Sequence, residues 1–229
     1  MSWRGIPSDF VWRRLHSLSG LWLSLYIILH LWTNAQAAVG DGSGFVEEVN
    51  QIHRLPFLPL WELAGLGVPI VLHLVWGLHY LFTGKANSFR SDGRTPYLDY
   101  GRNRAYTWQR VSAWILAVGL VAHVVHMRFL EYPERLGTGE YLRGAVVGDF
   151  GTITLIMLKE TFESPLMMAL YTLLVLSGCY HGFNGLWTFM IKWGVTLSER
   201  AQRLWLRACQ GIMVGVALLG LFAIFGRLL

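Results

Sequence analysis

The sequence predicts an all-α, polytopic membrane protein, a bundle of five transmembrane helices. Two observations lead there. Only 14% of the 229 residues are charged and the mean hydropathy is +0.41, whereas a soluble domain carries about 25% charged residues. The few charges are also segregated: 15–40, 63–84, 111–127, 164–191 and 208–226 contain no Asp, Glu, Lys or Arg. Each stretch is close to or above the ~17–25 residues that a helix needs to cross the hydrocarbon. This composition excludes a soluble enzyme, a disordered tail and a disulfide-built secreted domain.

Taken in order, the spans are 15–38, 63–84, 109–129, 164–191 and 207–227, within a single domain of residues 1–229. The N-terminus has charges but no apolar core followed by a cleavage site, so no removable signal peptide is expected. Pro69 lies in the first two turns of the second span, where a missing donor is tolerated or bends the helix. The connection 128–163 holds an apolar piece, Phe150 to Leu158, too short to span and suited to capping the helix ends. Cys179 and Cys209 fall in different spans and read as small buried hydrophobes.

Charge sets the expected orientation. The N-terminus, the 85–110 loop and the 192–207 loop hold thirteen of the nineteen basic residues and four of the fourteen acidic ones. The positive-inside bias then places the N-terminus in the cytoplasm and the C-terminus outside. The net charge of +5 reports this topology and does not point to nucleic acid.

Six of the eight histidines lie within or at the ends of apolar spans, where a polar side chain is expensive and usually functional or paired. Their depths follow from a rise of ~1.5 Å per residue. His30 lies sixteen residues after Arg14, and His123 thirteen after Arg110, so both sit ~20–24 Å above the cytoplasmic face. His73 and His181 lie ~17 and ~27 Å down from the outer face, on the second and fourth spans. One histidine on each of four helices, at two levels, is the arrangement that two stacked bis-histidine haems require. Imidazoles in both axial positions leave no open site for oxygen, so such haems carry single electrons. Without a Cys-x-x-Cys-His motif the haems would be non-covalent b type.

The inner haem is thus expected on His73 and His181, and the outer on His30 and His123. Arg13, Arg14, His16 and Arg110 inside, and Arg128 outside, are candidates for the propionates. Gly77, Gly178, Gly182 and Gly185 lie within two turns of His73 or His181 and would let a flat macrocycle or a neighbouring helix approach. His126, three residues past His123, is the rival ligand in that span. His79 is expected to pack and His53 to lie in a loop, solvated.

With these histidines go further motifs that resemble, along nearly the whole chain, the five-helix, two-haem cytochrome b subunit of succinate dehydrogenase and fumarate reductase. They are Arg13-Arg14-Leu15-His16-Ser17-Leu18, His30-Leu31 with Asn34, Leu55-Pro56-Phe57, and Gln109-Arg110-Val111. His123 with Arg128 follows, then His181 with Phe183-Asn184-Gly185-Leu186-Trp187, Trp193-Gly194 and Gln202-Arg203. The resemblance implies an anchor in the bacterial inner (cytoplasmic) membrane, its cytoplasmic face docking an iron–sulfur subunit and, through it, a flavoprotein subunit that oxidises succinate. It implies no catalytic residue in this chain, which has neither a flavin fingerprint nor a cysteine cluster. A quinone, menaquinone by the two-haem type, would be the membrane partner. The family's acidic quinone-site residue has candidates in Glu47, Glu48 and Glu62, with Glu62 favoured. The alternatives are a quinol:fumarate reductase subunit, the cytochrome b of a hydrogenase or formate dehydrogenase, or a transporter.

Overall fold

A computed structural model of the chain describes residues 8–83 and 100–226. Among these, five helical stretches are long and apolar enough to cross a membrane. They are α1 (Ser8–Gln36), Leu58–Thr83, Gly101–Leu130, α7 (Pro165–Lys192) and α8 (Glu199–Phe225). Of the residues used for orientation, Arg4, Lys85, Arg90, Asp92, Arg94, Asp99 and Arg227 lie outside the described ones.

Two of the five stretches are interrupted. The second is built from α3 (Leu58–Glu62), a π-helical turn (Leu63–Gly67) and α4 (Val68–Thr83). Pro69 explains the disturbance. It has no N–H for the Gly65 carbonyl four residues back, and the Trp22 indole donates to that carbonyl instead, at 2.6 Å. The third stretch runs as α5 (Gly101–Val124) and closes in a second π turn, Val125–Leu130.

The bundle is organised around α7, which packs on α1, α5 and α8, while α1 also packs on α4 and α8. Cys179 and Phe183 of α7 form a buried core with Leu31 of α1 and Val216 of α8. The helices α1, α4, α5 and α7 make a square whose sides touch and whose diagonals, α1 with α5 and α4 with α7, scarcely pack. The gap between the diagonals is where the histidines lie.

At one end of the square sits a small cap with more structure than hydropathy reveals. It comprises α2 (Ser43–His53), the strands β1 (Glu134–Arg135), β2 (Tyr141–Arg143) and β3 (Val146–Gly148), and α6 (Phe150–Thr161). The strands form an antiparallel sheet in chain order, and the tight β2–β3 turn needs the left-handed backbone of Gly144 (φ 59°). The apolar segment from Phe150 buries Ile153, Leu155 and Met157 as one face of α6, packing Leu155 against Phe45 of α2 and Ala37. Close approach of α6 to α2 depends on Gly151, where a Cβ would lie 2.5 Å from the Val46 carbonyl. Asn50 of α2 donates to Asp149 at 2.8 Å and accepts from the Gly151 N–H at 2.9 Å. Arg143 joins the sheet to its surroundings through Glu131 and Glu160 at 2.6 and 2.5 Å. Partial desolvation opposes its charge, but the two carboxylates outweigh that and raise its pKa.

Candidate functional site

Across one diagonal of the square, His73 of α4 faces His181 of α7 with ring centres 6.0 Å apart and ring planes at 86°. Across the other, His30 of α1 faces His123 of α5 at 5.9 Å and 74°. Two imidazoles on opposite sides of one metal, each nitrogen about 2 Å from it, have ring centres about 6 Å apart. Both pairs therefore have the spacing of axial ligands to an iron between them.

Hydrogen bonding fixes which ring nitrogen could bind. His73 donates through Nδ1 to the His16 carbonyl at 3.1 Å, and His181 through Nδ1 to the Gln109 carbonyl at 3.3 Å. A carbonyl only accepts, so Nδ1 carries the proton and Nε2 of the neutral ring is left as the lone pair. In the other pair the partners are hydroxyls: His30 Nδ1 lies 3.5 Å from Tyr26 Oη, and His123 Nδ1 3.3 Å from Tyr171 Oη. Nε2 of all four rings makes no hydrogen bond among the described residues. Second partners of this kind orient metal-binding histidines and raise their basicity.

Tyr171 Oη also contacts His126 Nδ1, at 3.0 Å. A hydroxyl has one proton to give, so at least one of the two rings must donate to it. His126 makes its ring contact with Tyr171, whereas His123 is the one opposite His30.

Several supporting residues were not evident from spacing. Gln109 grips His181 twice, accepting from Nδ1 and donating its own side-chain amide to the His181 carbonyl at 2.9 Å, while Asn184 holds that side chain at 2.7 Å. The motif Gln109-Arg110-Val111 contained the signal without its purpose. Gly20 lets α1 approach the ring of His73: a Cβ there would sit 2.7 Å from Cε1 and 3.1 Å from Nδ1. Gly77 and Gly185, singled out from the sequence, are roomier, with nearest atoms at 3.5 Å on His16 and 3.6 Å on Gln109.

The basic residues divide. His16 is stacked on His73 at 4.0 Å and donates to the His73 carbonyl at 3.0 Å. Arg110 caps the end of α4, donating to the carbonyls of Tyr80, at 2.6 Å, and Leu81. Arg14 lies between the Phe10 and Trp193 rings and donates to the Lys192 carbonyl; Arg13 is exposed. Arg128 pairs with Glu62 at 3.1 Å and lies over Tyr132. His79 lies against the rings of Trp76 and Tyr80 and has no ring contact with the four paired histidines among the described residues.

The Glu62–Arg128 pair joins the end of α3 to the second π turn beneath the cap and borders a cavity of about 140 Å³, lined also by Ile52, His53, Leu58 and Phe150. His53 departs from the expected solvated loop residue. It ends α2, stacks on Phe150 at 3.9 Å, and meets the Tyr141 hydroxyl at 2.7 Å. The folding of α6 and the sheet over α2 brings these partners, distant in sequence, onto it. Desolvation, and then the charge of Arg135, hold its pKa below the ordinary imidazole range.

Comparison with curated proteins finds the succinate dehydrogenase cytochrome b558 subunit of Bacillus subtilis (strain 168), 31% identical over 218 residues, which cover 95% of this chain and 96% of the relative. No protein-family model and no solved structure matches.

Proposed function

The chain belongs to the succinate dehydrogenase cytochrome b subunit family, and from that premise we propose a dihaem anchor that passes electrons between the iron–sulfur subunit and membrane quinone. It is a membrane-spanning cytochrome b, a subunit of the succinate dehydrogenase complex, working in electron transport with haem b. Its partners in that role are the flavoprotein and iron–sulfur subunits and quinone. The readings as a hydrogenase or formate dehydrogenase subunit, and as a transporter, are not favoured by this kinship.

The observation that carries the dihaem proposal is the two cross-diagonal histidine pairs at 6.0 and 5.9 Å, with every Nδ1 engaged and every Nε2 free of hydrogen bonds among the described residues. His73 and His181 would hold the inner haem, and His30 and His123 the outer. Held by two imidazoles, a b haem would supply a one-electron carrier with no site left for oxygen. The protein's part is to keep the rings in register. The carbonyls of His16 and Gln109 hold the inner ring protons on Nδ1, and the hydroxyls of Tyr26 and Tyr171 brace the outer rings. His123 is preferred to His126 because it is the ring opposite His30.

Of the propionate candidates, His16 and Arg110 are committed to His73 and the end of α4; Arg13 is exposed at the inner end, Arg14 there holds the Lys192 carbonyl, and Arg128 at the outer end is paired with Glu62. The quinone, menaquinone in this proposal, would meet Glu62 at the cavity beneath the cap, beside Arg128. The cytoplasmic N-terminus, outer C-terminus, bacterial inner-membrane location, single domain and absence of a catalytic residue belong to the same reading. It rests there on the charge asymmetry of the loops and on family kinship.

A reduced-minus-oxidised absorption spectrum of the purified chain, with haem quantified per polypeptide, tests the proposal. Two low-spin b haems are expected, and His73→Ala or His181→Ala should each remove one. Full haem content in both variants would overturn the assignment of the inner pair.

A further inference from the structure

A second candidate site lies away from the histidines. It is a cleft of about 570 Å³ on the other side of α7, within the range of about 300–1,000 Å³ usual for small-molecule sites. Its walls are the beginnings of α5 and α8, which each pack on α7 but scarcely on one another, so α7 forms the floor. Phe183 and Cys209, both buried, line its deeper part with Met213.

The lining is polar at one end. Arg102 and Arg203 stand at the mouth, both exposed and within the first turns of their spanning helices. From Arg203 down to Met213 the cleft follows α8 for ten residues, ~15 Å of helix. Arg102 is held by the neutral amide of Gln202 and lies 6.0 Å from the Trp187 ring; among the described residues it forms no ion pair. Among the described residues Arg203 pairs only with the exposed i,i+4 partner Glu199, a weak and readily exchanged contact. Trp187 also lines the cleft, and its buried indole N–H has no acceptor among the described residues.

We propose that this cleft binds one anionic phospholipid, its phosphate between Arg102 and Arg203 and an acyl chain along the groove over Phe183, Cys209 and Met213. The order of the lining, cationic at the membrane surface and apolar below, matches that of a lipid. Two guanidiniums at headgroup depth call for an anion, which an uncharged quinone head would not supply.

Native mass spectrometry of the full chain, released from nanodiscs of phosphatidylglycerol or of phosphatidylcholine at equal lipid load, tests this. One phosphatidylglycerol should stay bound per chain, with phosphatidylcholine retained less by about 5- to 30-fold, as one or two basic residues at an anionic surface would give. Combining Arg102→Gln with Arg203→Gln should abolish the preference, and Arg102→Lys should keep most of it. Ala105→Phe, which narrows the cleft from α5, should reduce both lipids. The arginine variants change exposed side chains, and an unaltered haem spectrum verifies their fold, so the test stands even if Ala105→Phe does not assemble. Equal retention of both lipids by the unmodified chain overturns the proposal, as does undiminished preference in the double arginine variant. Retention that vanishes when the soluble subunits are bound assigns the cleft to a protein partner and likewise overturns it.

Discussion

Replacing Gly20 by alanine should disturb the inner histidine pair and spare the outer one. A Cβ at this position would stand 2.7 Å from His73 Cε1, whereas non-bonded carbons settle at about 3.5–4.0 Å. The ring or the helix must therefore retreat by about 1 Å. The ring has little freedom to do so. His16 is stacked on it at 4.0 Å and the two residues exchange Nδ1-to-carbonyl hydrogen bonds at 3.0 and 3.1 Å. A displacement of that size alters the 6.0 Å spacing to His181, and overpacking of this kind typically costs 1–3 kcal/mol. Gly77→Ala is the control, because its Cβ would meet only His16 Cε1 at an ordinary 3.5 Å. Difference spectra and low-temperature electron paramagnetic resonance should show one perturbed or missing low-spin haem in Gly20→Ala and two native ones in Gly77→Ala. Two native signals in Gly20→Ala would refute the packing argument, and equal damage in both variants would show that any added methyl near α1 suffices.

Three other outcomes follow from the same structure. Tyr171→Phe removes the hydroxyl shared by His123 and His126. It should weaken binding of the outer haem by about 10- to 100-fold, read by haem titration, and leave the inner haem unchanged. Trp22→Phe deprives the Gly65 carbonyl of the donor that replaces the missing Pro69 N–H, an unsatisfied group worth about 1–3 kcal/mol; a lowered thermal midpoint should follow, and an unchanged one would mean another donor serves. His53 has a pKa depressed by desolvation and Arg135, so the unfolded chain takes up its proton before the folded cap does. The cap is then at full stability above the ordinary imidazole range and loses stability as pH falls through that range towards the lower folded pKa. Hydrogen exchange of α2 and α6 amides should accelerate over that window, and His53→Phe should remove the dependence.

Much of the architecture is written in one dimension. Hydropathy and charge are local properties, so the five spans and the short apolar segment from Phe150 can be read directly along the chain. Depth is also one-dimensional: a constant rise per residue puts His30 level with His123 and sets His73 and His181 at a lower level, and the folded chain brings those same residues together. The rotation of each helix about its axis, and the partner its face meets, are properties of packing. That is why His16, a propionate candidate by sequence, is found stacked on His73, and why Gln109, Tyr171 and Gly20 had no visible role until α5, α7 and α4 were set beside their neighbours. It is also why His53, in a polar stretch without a spanning signal, is drawn under a cap of α6 and three short strands: contacts between residues about a hundred positions apart leave no periodic trace. Solvent and the number of crossings could be read along the chain because they depend on composition and length. Which diagonal each pair spans, which atom holds each ring, and where the cleft beside α7 opens became visible only in the folded bundle, because these depend on helix faces meeting in three dimensions.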